Sequence, residues 1–217
     1  MSKRKWLEYG GIASGVLLIA FGIGAVAMSI NGHNTVVDSL KAEKITSEAT
    51  SGMNPDTIAK DAQAAGLPDT IVLPTCSVEG KDINSSNRAR CFAQYMRIHA
   101  LEATDGLTYS QLGRYAAKDG NAKGTNDFAA AAVDPKTQKP ISNSSRDTWV
   151  TETALSTALN VSFMADNLAL FGIVVGIALL LSGIGFMILA ILALGGKAKP
   201  QEAEEAEATR PVVAVTS

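Results

Sequence analysis

Two stretches of this chain contain no Asp, Glu, Lys or Arg: Tyr9 to Val37, whose one imidazole is His33, and Asn167 to Gly196. Outside them about 25% of residues are charged, an ordinary value for a water-soluble domain. A single soluble globule is therefore excluded. The pattern is that of a soluble segment flanked by two apolar segments long enough to cross a bilayer.

The first apolar block, residues 10–30, measures roughly 30 Å as a helix, the thickness of the hydrocarbon layer. Lys3, Arg4 and Lys5 precede it against Glu8, and Trp6 and Tyr9 stand at headgroup depth. The positive-inside bias therefore predicts a cytoplasmic N-terminus. A cleaved secretory signal is the rival reading, because Ala25-Val26-Ala27 forms an A-x-A site behind a basic and an apolar region. Against cleavage, the apolar block continues past Ala27 and runs without proline towards Lys44. The second block, residues 167–195, is followed by Lys197 and Lys199, which predicts a cytoplasmic C-terminus as well. Neither block carries an acid or base in its apolar core, so an ion path or proton relay through them is disfavoured.

The two blocks share a pattern, GIASGVLLIAFGIG from Gly11 and GIVVGIALLLSGIG from Gly172, with glycines at matching positions. At 100° per residue Gly11, Gly15, Gly22 and Ser29 fall within about 40° of one face, as do Gly172, Gly176, Gly183 and Ala190. In lipid, helices associate through close backbone approach rather than apolar burial, and small-residue faces permit that approach. The expectation is two spans packed antiparallel, with Gly22 facing Gly176 and Gly15 facing Gly183. A homodimer through one stripe is the competing use.

Residues 31–166 make an external segment of ordinary domain size in which acidic side chains slightly outnumber basic ones. Large apolar residues are sparse there, so a covalent staple would help a thin core. Cys76 and Cys91 are the only cysteines and lie on the oxidising side of the proposed topology, which predicts a disulfide. Asn54, Pro55, Gly66 and Pro68 punctuate a short helix. Residues 70–75 read at best as an edge strand, interrupted by Pro74. Asn84, Ser85 or Ser86 can cap an amphipathic helix that presents Phe92, Tyr95 and Met96 to the core. Thr108 and Gln111 resemble a capping box. From Ser145 a continuous helix, with Trp149 and Leu155 packed on the domain, is expected to run into the second span. The tail, residues 196–217, is rich in Glu, Ala and Pro and reads as disordered.

Chemical signals are few. A net charge of -2 without a basic cluster disfavours nucleic acid as partner. Motifs for zinc proteases, dithiol redox centres, serine hydrolases and phosphate loops are missing from the sequence. His33 and His99 are the only histidines, predicted at the lipid boundary and on a helix, so neither a metal site nor a catalytic residue is expected. His99 and Glu102 have the i,i+3 spacing of a local pair, which is common on solvated helix faces.

The pieces LPTCSVEGK around Cys76, RCFAQYMRIHALEATDG around Cys91, AAVDPKTQKPISN, and WVTETALSTALNVSFMADNLALF give the chain a resemblance to a family of actinobacterial two-span envelope proteins. Some members of that family carry the label aromatic ring-opening dioxygenase. The resemblance implies membrane placement and, through the label, a place in ring cleavage, whose extradiol form holds iron with two His and a carboxylate.

The sequence thus predicts a mainly α plasma-membrane protein: a basic cytoplasmic stretch (1–9), a first span (10–30), a mostly helical extracytoplasmic domain with at most a short β element and one disulfide (31–166), a second span (167–195) and a cytoplasmic tail (196–217). Its expected role is non-enzymatic and without cofactor, structural or interaction work in the envelope with a membrane or envelope protein, a second copy included. A ligand-sensing or accessory subunit is the alternative, and a component of a ring-opening dioxygenase a more distant one.

Overall fold

The computed structural model describes residues 3–195, and the expectations for the tail at 196–217 lie outside them. Among the described residues the chain is mostly helical: α1 (Lys3–Ala42), α2 (Pro55–Ala64), α3 (Ser86–Glu102) and α4 (Ser144–Gly195), with one 3-10 turn at Tyr109–Gln111. Two of the helices, α1 and α4, are long and apolar enough to cross a membrane. They divide between two compact units, one built from α1 as far as Val26 with α4 from Val174, the other from Ala27 to Ile173.

In the first unit the backbones approach at glycines. A methyl group added at Gly15 would lie 2.9 Å from the Gly183 carbonyl oxygen, and one at Gly22 would lie 2.8 Å from that of Gly176. At Gly11 it would touch Ala190 Cβ at 3.3 Å. Gly24 and Gly185, off these faces, have open space where a side chain would begin. A larger residue at Gly22 or Gly176 would force the helices apart, because the obstructing atom is backbone. Within the second unit, Gly172 makes room for the Ser29 side chain.

The second unit is built as a water-soluble domain is. α2 begins where Asn54 Oδ1 accepts the Thr57 N–H at 2.9 Å with Pro55 at the first helical position, and it stops before Gly66 at φ 66°. A side chain at that angle would be strained, which is why glycine ends the helix. α2 packs on α3, and the core gathers Ile58, Val78, Ile83, Tyr95, Ile98 and Trp149. Phe92 joins it only in part, and Met96 is half-buried. Tyr95 is wholly buried, and its hydroxyl donates to the Cys76 carbonyl at 2.5 Å. Burial, then the Glu79 carboxylate, push its phenol above the ordinary value of 10.0.

Cys76 and Cys91 form a disulfide with Cα atoms 6.1 Å apart, which ties the segment after α2 to α3. That segment is not an edge strand. Pro74 removes a donor, Val72 stands 90% exposed, and the Ile71 N–H turns back to the Pro68 carbonyl. Pairing among the described residues is limited to isolated antiparallel bridges, of which Tyr115 to Thr125, Tyr115 to Ser142 and Ala117 to Ala131 organise the region between α3 and α4.

Candidate functional site

Two polar arrangements stand out in the second unit. The first joins three helices through Asp166 on α4, a residue 5% exposed. Its Oδ2 accepts the Ser86 hydroxyl at 2.5 Å, and its Oδ1 accepts from His33 Nδ1 at 2.5 Å. An ionised carboxylate is acceptor-only, so Nδ1 is the donor in this contact. Ser86 is the first residue of α3, whose cap is Ser85; the Ser85 side chain makes no cap hydrogen bond, and the Ser86 hydroxyl turns to Asp166 instead. The order of contact is hydroxyl, carboxylate, imidazole. A nucleophilic triad requires the imidazole beside the hydroxyl to take its proton, so this cluster holds elements together rather than activating Ser86.

The second is a groove of about 520 Å³ between α3 and the first turns of α4. Phe92, Met96, His99 and Ala100 recur along one face of α3, Met53 closes one side, and Asp147 and Glu152 belong to α4. His99 Nδ1 lies 2.8 Å from Glu102 Oε2, while Glu102 Oε1 is buried with no hydrogen-bond partner among the described residues. The i,i+3 pair expected on a solvated face thus borders a groove, with Glu102 largely buried. Glu152 is 4% exposed; the Thr153 hydroxyl donates to its Oε2 at 3.3 Å, and among the described residues no hydrogen bond reaches its Oε1.

The start of α4 is fixed by Asn143. Its Oδ1 accepts the Ser145 N–H at 3.1 Å, and its Nδ2 donates to the carbonyls of Gly113 and Lys123, each at 3.1 Å. One turn on, Trp149 Nε1 donates to the Leu107 carbonyl at 2.8 Å, and the Arg97 guanidinium lies 5.5 Å from the ring. These contacts give the α4 wall of the groove a fixed register against the loop before it. Sequence reasoning placed Trp149 on the domain but missed Asn143, although an Asn ahead of a long helical run is a capping signal.

The structure does not bring His33 and His99 together: the first is engaged with Asp166, the second with Glu102. Among the described residues no three His, Cys, Asp or Glu side chains converge as a metal site would require. No family model, curated protein or solved structure matches the chain.

Proposed function

We propose that this chain is a two-span membrane protein of the cell envelope, with its spans packed antiparallel, both termini in the cytoplasm, and a disulfide-stapled helical domain held outside for structural or interaction work. The observation that carries this reading is the exposure of large apolar side chains along the charge-free stretches of both long helices. Phe21, Met28, Leu181 and Leu192 are each at least 66% exposed, and large apolar side chains left open in this number are tolerated by lipid rather than by water. The backbone approaches at Gly15 and Gly22 support the packing, because glycine faces substitute for the apolar driving force that lipid removes. The Cys76–Cys91 bond supports an oxidising side for the domain.

The test is labelling in intact cells with a membrane-impermeant maleimide. Val72→Cys is expected to label from outside, and a cysteine added after Ser217 only after lysis. Labelling of Val72→Cys solely after lysis, or release of the chain by carbonate, overturns the reading.

The groove beside α3 favours a second reading within the same placement, a ligand-sensing or accessory subunit. A non-enzymatic role is supported by the order of contacts at Ser86, where the carboxylate and not the imidazole meets the hydroxyl. Stoichiometric iron accompanied by ring cleavage in the purified protein would reverse it.

A further inference from the structure

We infer that the groove between α3 and the first turns of α4 binds an amphipathic organic cation, with Glu152 as its counter-ion. Three observations meet there. Glu152 is 4% exposed, its Oε2 receives one long hydrogen bond from the adjoining residue, and its Oε1, which receives none among the described residues, is still reached by solvent. A carboxylate that is mostly withdrawn from water but keeps one oxygen within reach is stabilised by a donor or an opposite charge brought to that oxygen. The groove supplies no fixed positive charge: none of its lining residues is Lys or Arg, and Asp147 adds a second negative charge. Arg97 stacks on Trp149, and Arg146 lies over Tyr109 at 4.0 Å. His99, the one lining group able to carry positive charge, is turned to Glu102.

The opposite wall is apolar. Met53, Phe92 and Met96 offer soft, adaptable surface, and the Phe92 ring can face a cation. About 520 Å³ lies within the range of small-molecule sites, which combine apolar walls with a few fixed polar groups. An ammonium head would complete the Glu152 carboxylate while its hydrocarbon body covers the methionines. The inference stands whichever side of the membrane carries the groove, so the labelling experiment above and the one below fail independently.

The full chain in phosphatidylcholine nanodiscs is titrated calorimetrically with 4-phenylbutylammonium, with empty nanodiscs subtracted and 4-phenylbutanol as neutral isostere. Saturable one-to-one binding of the amine is expected, at least tenfold weaker in Glu152→Gln and at least tenfold weaker for the alcohol. Asp147→Asn, at the more solvated edge, is expected to weaken it two- to threefold. The melting profile of each variant reports folding; should Glu152→Gln fold poorly, the amine-to-alcohol ratio on the unmodified chain and the Asp147→Asn titration decide. Absence of saturable binding, or equal affinity for amine and alcohol, overturns the proposal. So does a dimer of the unmodified chain that Glu152→Gln disperses without amine binding, which would assign the groove to a second copy.

Discussion

The two units of this protein are held together by opposite means. In the unit formed by the first part of α1 and the last part of α4, the contacts that matter are where side chains are missing, at Gly15, Gly22, Gly176 and Gly183, and the large apolar residues face outward. The unit from Ala27 to Ile173 has a core of inward-facing large residues, where Tyr95, Ile58 and Trp149 are tied by a disulfide and by hydrogen bonds to loop carbonyls, although Met28, Leu168 and Phe171 at its helical end face outward. Apolar burial drives the second wherever water surrounds it. It cannot drive the first if lipid surrounds it, since a lipid tail is as apolar as leucine, and close packing of backbones takes its place. The same residue type therefore has opposite value in the two units.

The comparison breaks most readily at Trp149. Replacement by Ala removes a side chain 3% exposed together with its hydrogen bond to the Leu107 carbonyl. The expected cost is about 3–5 kcal/mol, read as a lower denaturant midpoint of near-ultraviolet ellipticity from the second unit, with pairing in the first unit retained. Unchanged unfolding would show that α4 is not part of that core.

Removal of the Cys76–Cys91 bond by paired Ser substitutions is expected to cost about 3 kcal/mol for a loop of this size. The loss should be confined to the second unit, and thermal melts in detergent with and without reductant measure it. In the first unit, Gly22→Leu or Gly176→Leu should lose about 1–3 kcal/mol of helix association through forced separation, while Gly24→Leu, which enters open space, should lose nothing. Crosslinking between cysteines placed at Gly11 and Ala190, where the β-carbons would stand 3.3 Å apart, reports the pairing. Equal loss for Gly22→Leu and Gly24→Leu would refute the role assigned to the glycine face.

A smaller effect sharpens the contrast. Tyr95 has its folded pKa raised by burial and then by Glu79, so the stability it contributes is present below its ordinary value near 10 and is lost as pH rises towards the folded value. Alkaline titration of the melting temperature should decline from about pH 10, and Tyr95→Phe should remove that decline.

Parts of this architecture could be read from neighbouring residues alone. α2 is bounded by Asn54-Pro55 and Gly66, whose roles are local: a side-chain acceptor for the Thr57 N–H, a preset φ, and a left-handed turn. The spacing of Phe92, Tyr95 and Met96 gave the helix α3 but not its buried face, which runs through Cys91, Tyr95 and Ile98 while Phe92 and Met96 are only partly covered, and two cysteines leave one intrachain pairing. The expectation for residues 70–75 failed because so short an extended run says nothing about a partner strand, and among the described residues none forms beside Pro74.

What the sequence determined by itself is whatever depends on charge, length and adjacency: two long apolar helices, the charge-bearing segment between them, the bounds of α2 and α3, and the disulfide. Only the tertiary structure decided that Asp166 receives Ser86 from 80 residues away and His33 from 133, that Asn143 pins the start of α4 to Gly113 and Lys123, and that Glu152 is withdrawn into a groove opposite Phe92 and Met96. The reason is physical. Helix periodicity and capping energies are set within a turn or two of chain, whereas a buried polar group acquires its partner from whichever distant element the packing of the core brings within about 3 Å.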